Sequence, residues 1–243
     1  MVQPKLLVVL LAPLCVVGPQ AAAAGVPRTC DKLTGKPVLR TASIKVVKRP
    51  RHTIPHVAKG TTGTELVGVA FYGCALPSGR VRSLGFRGRE YFYTPGERPA
   101  RGEIYATDSA WVRKPAGTWV LATHATATND YTADDGQAVN LATGRRYPYY
   151  RFEMDSESST DTGPFSDSQP PYSVALSDQG VLAAIYHSAD DTGAESATVE
   201  GFTPAGKRQK LDQGPIGDVS GLGLAGNVVT WTNAGAAKTA TIS

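Results

Sequence analysis

The stretch Leu141-Ala142-Thr143-Gly144-Arg145 decides the fold of this 243-residue chain, because the same kind of turn returns at long and nearly regular intervals. An apolar strand end, a Thr or Pro, a Gly and a basic residue also occur in Leu76-Pro77-Ser78-Gly79-Arg80 and Phe202-Thr203-Pro204-Ala205-Gly206-Lys207. The three glycines are 65 and 62 positions apart. Recurrence at a fixed spacing predicts a repeated architecture, and it carries no information about activity.

A second landmark precedes these turns: a short apolar strand, a reversal that contains Gly, and a longer apolar strand. The reversals contain Gly117, Gly180 and Gly226, and the polar segments 132–136 and 188–193 follow the first two. Gly117 precedes the Gly144 turn by 27 positions and Gly180 precedes the Gly206 turn by 26. Each unit therefore reads as strand, tight turn, strand, polar loop, strand, Gly turn, strand, which predicts a four-stranded antiparallel meander.

This unit resembles the blade of a β-propeller, and the resemblance covers most of residues 60–243. It implies an all-β fold of about four to five blades, and a β-sandwich with internal duplication is the alternative. The Gly-His and Trp-Asp signature of WD40 blades and the double glycine of kelch blades are absent, so no partner follows. The composition also resembles that of uncharacterised exported proteins of high-GC bacteria, which implies no activity.

The last unit ends at Ile242-Ser243, one or two strands short of a full meander. Propellers commonly close their ring with a strand from the other terminus, and the alternation within residues 38–47 suits such a strand. The early turn Leu33-Thr34-Gly35-Lys36 would belong to this closure. We therefore predict a basic N-terminal segment at 25–59, which contains the ring-closing strand, and a β-repeat domain at 60–243.

Residues 1–24 have the pattern of a secretory signal peptide: Lys5, an apolar run over Leu6–Gly18, and an Ala-x-Ala sequence before Gly25. The apolar run is shorter than the ~20 residues of a membrane-spanning helix, so we expect no transmembrane segment in the mature protein. The expected location is outside the cell or at the cell envelope. Two cysteines, Cys30 and Cys74, then remain, and an even pair in an exported chain predicts a disulfide.

Charge is unevenly distributed, although the formal net charge is only +4. Basic residues crowd the segment 28–59 against a single Asp31, whereas acidic residues dominate 153–200. The basic end could attract an anionic wall polymer or a lipid surface, and solvated strand faces are the plainer interpretation. Nucleic acid is not an expected partner, because the basic segment lacks interleaved aromatic residues and the chain is exported.

Two histidines, His124 and His187, lie at matching places near the end of the longer apolar strand of their units. Equivalent positions in successive blades can converge on one side of a channel, where a His pair can move a proton or bind a metal. They are the candidate catalytic residues of an exported hydrolase or lyase; the alternative is that both rings only fill strand ends. No recognised nucleophile or zinc motif accompanies them, which favours a non-enzymatic protein.

Dense aromatic segments supply the candidate ligand-binding residues Tyr91, Tyr93, Tyr149 and Tyr150. Flat rings can stack on sugars, and the alternative is alternating strand residues, half of them in the core. The flanking prolines make His52 and His56 loop residues rather than a zinc pair. The acidic loop from Asp155 to Asp167 lacks the EF-hand order, and whether it binds calcium stays open. We expect a monomer without metal or cofactor that binds or scaffolds a wall polymer, carbohydrate or peptide.

Overall fold

A computed structural model of the chain describes residues 26–53, 63–93, 104–128, 131–155, 171–189 and 193–243. These residues form fifteen strands and no helix, which confirms the all-β prediction. The strands are β1 Lys36–Arg40, β2 Ile44–Thr53, β3 Gly63–Ala75, β4 Arg82–Tyr93, β5 Ile104–Ala116, β6 Trp119–Ala127, β7 Tyr131–Asn140, β8 Arg146–Asp155, β9 Ser173–Leu176, β10 Leu182–Ala189, β11 Glu195–Phe202, β12 Arg208–Pro215, β13 Ser220–Ala225, β14 Val228–Asn233 and β15 Ala236–Thr241. The predicted signal peptide, residues 1–24, lies outside the described residues.

The strands form three antiparallel sheets, β1–β8, β9–β12 and β13–β15, and neighbours in each sheet are neighbours in the chain. The eight-stranded sheet consists of two meanders joined at one end. Strand β4 pairs with β5 only where Gly88–Tyr91 lies beside Ile104–Asp108, and past Gly88 the strands separate. We call this point the fork. The four units β1–β4, β5–β8, β9–β12 and β13–β15 are the first to fourth meanders.

Successive meanders pack against each other through buried apolar clusters. The first and second share a cluster that includes Val46, Phe71 and Val120, and the second and third share one that includes Trp119 and Leu182. The third and fourth meet in a further cluster, with Ile185, Val199, Val229 and Trp231 among its members. Burial of one such side chain contributes about 1.5–3 kcal/mol, so these contacts are the main stabilising term of the fold.

The recurring turns occupy corresponding places in the meanders, as predicted. Gly79, Gly144 and Gly206 lie between the third and fourth strands of the first three meanders, and Gly117, Gly180 and Gly226 lie between the first and second strands of the last three. The φ angles of Gly144 and Gly206 are 83° and 82°, a region that glycine enters without steric cost. The segment 132–136, predicted as a polar loop, instead lies within β7.

The N-terminal strands differ from the predicted ring closure. Residues 38–47 span the end of β1, a turn and the start of β2; β1 pairs with β2, and β2 pairs with β3. Thr41 Oγ1 accepts hydrogen bonds of 3.2 Å from the backbone N–H groups of Ser43 and Ile44, which closes this hairpin locally. A strand that reverses within three residues bonds to its sequence neighbour rather than to a distant unit. The predicted boundary between 25–59 and 60–243 therefore falls between two strands of one sheet.

The predicted disulfide is confirmed and joins the N-terminal segment to β3 through Cys30 and Cys74. The backbone N–H of Cys30 donates to the carbonyl of Gly79, and that of Val81 donates to the carbonyl of Arg28. Cys30, Leu33, Val47 and Cys74 form a separate buried cluster. Val46 belongs to the cluster with the second meander, so the neighbouring Val47 lies on the opposite face. The segment therefore covers the face of the first meander that points away from the second.

We expect the double variant Cys30→Ser/Cys74→Ser to lose about 2–5 kcal/mol of unfolding free energy, because the disulfide closes a loop with a sequence separation of 44 residues. Urea unfolding measures this loss. A reductant should destabilise the wild type by the same amount and leave the double variant unchanged. Alkylation of both thiols in exported protein without reductant would contradict the disulfide.

A pair of glycines tests how closely the second and third meanders approach. Gly180 has φ 81°, and an added Cβ would lie 2.2 Å from Cε2 of the buried Trp119. Gly193 has φ 79°, and a Cβ added to it would have no other atom within 4 Å. We expect Gly193→Ala to cost about 1–2 kcal/mol for its backbone conformation alone. Gly180→Ala should cost about 1–3 kcal/mol more, because the added methyl group overpacks the contact. Equal losses in urea unfolding would contradict this packing.

Candidate functional site

A cleft of about 320 Å³ opens at the fork, between the first and second meanders. Its polar lining includes Arg51 of β2, His124 of β6, Asp135 and Gln137 of β7, and Arg146 of β8, and Phe86 of β4 adds an aromatic wall. Ligand sites in proteins commonly measure about 300–1,000 Å³, so this cleft has the size for a small ligand or one unit of a polymer.

Cross-strand register brings the charged residues together. His124 pairs with Ala110 on one side and with Asp135 on the other, and Asp108 lies two positions from Ala110 on the same face. Paired residues in antiparallel strands share a face, so one histidine meets two carboxylates that are distant in sequence. Small residues allow the fork itself: a Cβ added to Gly85 would lie only 3.0 Å from Cβ of Ala110.

His124 lies between two carboxylates. Its Nε2 is 3.3 Å from Asp108 Oδ1, and its Nδ1 is 3.7 Å from Asp135 Oδ1. The interaction with Asp108, followed by that with Asp135, raises the pKa of His124 to about 9, against the opposing effect of burial. Burial by itself would raise the pKa of Asp108, but hydrogen bonds from His124 and Thr126 hold it below its ordinary value. At neutral pH the ring is therefore a fixed imidazolium.

This arrangement limits the chemistry of the histidine. A general base needs an unprotonated nitrogen and a pKa near the working pH, whereas here both ring nitrogens face carboxylates and the ring carries its proton. Gln137 Nε2 donates to Asp135 Oδ2 over 3.1 Å, which fixes one of these carboxylates. His124 is thus suited to hold charge in place rather than to move a proton at neutral pH.

His187 does not converge with His124, so that prediction is wrong. His124 lines the fork cleft and alternates with Val120 and Ala122, which pack toward the first meander. His187 alternates with Ala183 and Ile185, which pack toward the fourth meander. Its ring stacks on Tyr172 with centroids 4.7 Å apart.

The turns before β6 and β10 explain why the two histidines point to different spaces. Ala116 pairs with Trp119 across a two-residue turn, whereas Leu176 pairs with Leu182 across a longer one. Side chains in a strand alternate between faces, so an offset of one residue reverses the face of every residue that follows. Equal spacing from the turn glycine therefore did not mean an equivalent place in the structure.

Tyr149 and Tyr150 do not form a binding platform, which makes this second site prediction wrong as well. Each is only 3% exposed, in the cluster between the second and third meanders. The Tyr150 hydroxyl donates to Asp134 Oδ1 over 2.8 Å, and the Tyr186 hydroxyl donates to the carbonyl of Tyr149. Burial raises the pKa of both Tyr149 and Tyr150, so these rings are core residues, and the Tyr150 hydroxyl is hydrogen-bonded within the core.

The remaining predicted site residues lie elsewhere. Tyr91 is half-buried on β4, and the side chain of Tyr93 lies outside the described residues. His52 is an exposed residue of β2 that contacts Glu65, not a loop residue, and His56 lies outside the described residues. Residues 156–170, which hold most of the acidic loop, also lie outside them. In the described ranges, no group of three His, Cys, Asp or Glu residues is placed to hold a metal ion, and no helix could cross a bilayer.

Sequence reasoning missed the two arginines of the cleft. The guanidinium carbon of Arg51 lies 5.9 Å from the ring centroid of Phe86. Arg146 Nη2 donates to the carbonyl of Ser83 over 2.7 Å and so links β8 to β4 across the cleft. Each arginine lies in a sequence feature that could have pointed to it: Arg51 belongs to the basic N-terminal segment, and Arg146 follows the recurring turn. Both arginines line one cleft only because of the fork, and the sequence pattern does not predict the fork.

The fold and the cleft define this chain as an all-β protein of stacked antiparallel sheets with a charged cleft between two of them. Neither a protein-family model, nor a curated protein, nor a solved structure matches the chain. The geometry of the cleft is therefore the observation that bears most directly on function.

The raised pKa of His124 predicts a pH-dependent stability. Its folded pKa of about 9 lies above the ordinary 6.5, so the stabilisation is complete below about pH 6.5 and is lost as the pH rises through 9. A shift of this size converts to about 3 kcal/mol at most, and screening at a side chain that is 38% exposed reduces it to about 1 kcal/mol.

Urea unfolding between pH 6 and pH 10 measures this effect as the difference between the wild type and His124→Gln. The difference should shrink as the pH rises. The matched variant His187→Gln should leave the wild-type profile unchanged, and a His124→Gln effect that is constant over this range would refute the ion pair.

Proposed function

We propose that this chain is an exported, non-enzymatic β-repeat protein that binds a ligand in the fork cleft, outside the cell or at its envelope. The proposal rests on the surroundings of His124: this histidine lies in a concave, charged cleft and is held as a cation by two carboxylates. A fixed imidazolium contributes to binding, whereas general-base catalysis at neutral pH would require an unprotonated nitrogen. The predicted wall polymers, carbohydrates and peptides remain the candidate ligands.

Two further features support export. The pattern of residues 1–24 is that of a secretory signal, and the Cys30–Cys74 disulfide is compatible with an oxidising compartment. The disulfide lies in the segment that covers the first meander, where its loss would expose an apolar face.

We also propose that the four meanders form an open, propeller-like arc. The first strands contact one another in order, β1 with β5, β5 with β9 and β9 with β13, as the inner strands of propeller blades do. The arc remains open because the N-terminal segment covers the outer face of the first meander. At the other end, Thr230 and Thr239 pair on β14 and β15 and are exposed.

A hydrolase or lyase is the second candidate, because His124 does lie near carboxylates in a concave site. Such an enzyme would need a proton donor, and a histidine with a pKa of about 9 is a weak acid at neutral pH. Acid catalysis by this residue would therefore be slow, which favours the binding function.

Blocking the cleft tests the binding function. We expect soluble wall-polymer fragments to bind the mature protein in isothermal titration calorimetry and to be recovered unchanged. Ser83 lines the cleft and is exposed, so Ser83→Trp should reduce binding at least tenfold by filling the space. The control Ser78→Trp places the same side chain in an exposed turn and should bind like the wild type.

Product analysis of the same samples tests the second candidate. Cleavage of a fragment that His124→Gln abolishes would overturn the non-enzymatic proposal. Equal binding by Ser83→Trp and the wild type would place the ligand site outside the cleft.

A further inference from the structure

We propose that the ligand of the fork cleft carries anionic groups, the carboxylates or phosphates of an extracellular polymer, and that Arg51 and Arg146 bind such groups. The inference deepens the proposed binding function and rests on it. It concerns the chemical class of the ligand, which the shape of the cleft does not determine.

Five charged side chains lie at or next to the cleft. Arg51, Arg146 and His124 are cationic, whereas Asp135 in the lining and Asp108 behind His124 are anionic. The two carboxylates both face the histidine, at 3.3 and 3.7 Å, so they are already engaged. These five groups leave a net positive charge, and a cleft with a net positive charge attracts anionic ligands.

Arg51 is the residue best placed to receive an anion. It is exposed, and its guanidinium has no hydrogen-bond or ion-pair partner among the described residues. The ring of Phe86 lies beneath it at 5.9 Å, which orients the planar group without using its N–H donors. A guanidinium held in this way can bind a carboxylate or phosphate through two parallel hydrogen bonds.

The position of the Phe86 ring depends on two glycines. Cβ atoms added to Gly68 and Gly88 would lie 2.8 and 2.5 Å from Cζ of Phe86. Any side chain at these positions would displace the ring, and with it the support for Arg51. The cleft wall is therefore packed into the sheet, as a binding surface needs to be if its groups are held in place.

Arg146 supplies the second cation from the opposite meander. One of its nitrogens donates to the carbonyl of Ser83 over 2.7 Å, which fixes the side chain while its other N–H groups remain as donors. Arg51 and Arg146 belong to different meanders and line one cleft, so the anionic groups of a polymer in the cleft would meet a cation from each meander.

The test compares three probes on the mature protein by isothermal titration calorimetry at low and high salt. Oligogalacturonate supplies carboxylates, an oligomer of glycerol phosphate supplies phosphates, and a maltooligosaccharide supplies neither. We expect at least one anionic probe to bind, with an affinity that falls as salt rises, and the neutral probe not to bind. The stronger anionic probe identifies whether the natural group is a carboxylate or a phosphate.

Matched variants assign the binding to the two arginines. Arg51→Gln and Arg146→Gln should each weaken the anionic probe at least tenfold, whereas the exposed controls Arg40→Gln and Arg145→Gln should change it less than twofold. Arg146→Lys keeps the charge but loses the planar fork, so its affinity should lie between those of the wild type and Arg146→Gln. Urea unfolding of each variant confirms that the fold is retained.

The outcomes separate the two proposals. Equal binding of the neutral probe, without an effect of Arg51→Gln, would overturn the anionic class and leave the binding function in place. Failure of both anionic probes to bind would also overturn the anionic class. Cleavage of a bound anionic probe would refute the non-enzymatic function while the anionic class stood.

Discussion

The central strands β6 and β10 are buried on both faces, and the rest of the molecule is arranged around that constraint. Residues 119–123 of β6 and 182–186 of β10 are all buried, with alternate side chains in different clusters. A sheet with two apolar faces needs a cover on each of them, so the second and third meanders are each enclosed by neighbours. The stack ends where another segment covers the outer face of a sheet or where that face can be solvated by water.

Two different solutions end the stack. At one end, the N-terminal segment and its disulfide cover Val47 and the outer face of the first meander. At the other end, β14 alternates: Val229 and Trp231 are buried, whereas Val228 and Thr230 are exposed. Trp231 also donates its indole N–H to Asp212 of the third meander over 2.7 Å, which anchors the last sheet. Protected terminal units are a general requirement of stacked architectures.

The cleft follows from the same packing, because it forms where one continuous sheet has to become two stacked ones. Between Gly88 and Tyr91 the ladder from β4 to β5 is intact, and past it the strands diverge. Divergence leaves polar groups of the paired strands β6 and β7 facing β4, with no ladder between β4 and these strands. Arg87 bridges part of the gap by donating to the carbonyl of Ala110 over 2.9 Å. A concave polar site is thus a by-product of the fork.

Local sequence patterns predicted the strands and their order well, and the site poorly. The glycine turns around residues 117, 144, 180 and 206 marked true strand boundaries, because positive φ angles at tight turns require glycine. His124 was among the candidate residues, but its partners were not, because Asp108 and Asp135 reach it only through cross-strand register. Tyr149 and Tyr150 were misread because their burial depends on the third meander, which packs from another part of the chain.

The sequence by itself determined an all-β chain of antiparallel meanders, the place of the recurring turns within each, and the pairing of Cys30 with Cys74. These features follow from turn chemistry, strand periodicity and the number of cysteines. Turns and strands depend on residues that are close in sequence, and cysteines can be counted. Only the tertiary structure decided that residues 44–47 pair with β3, that His124 and His187 face different spaces, and that Arg51 and Arg146 line one cleft. The physical reason is that an odd difference in turn length reverses the faces of the strand that follows, and that no sequence pattern in β4 or β5 marks the fork between them.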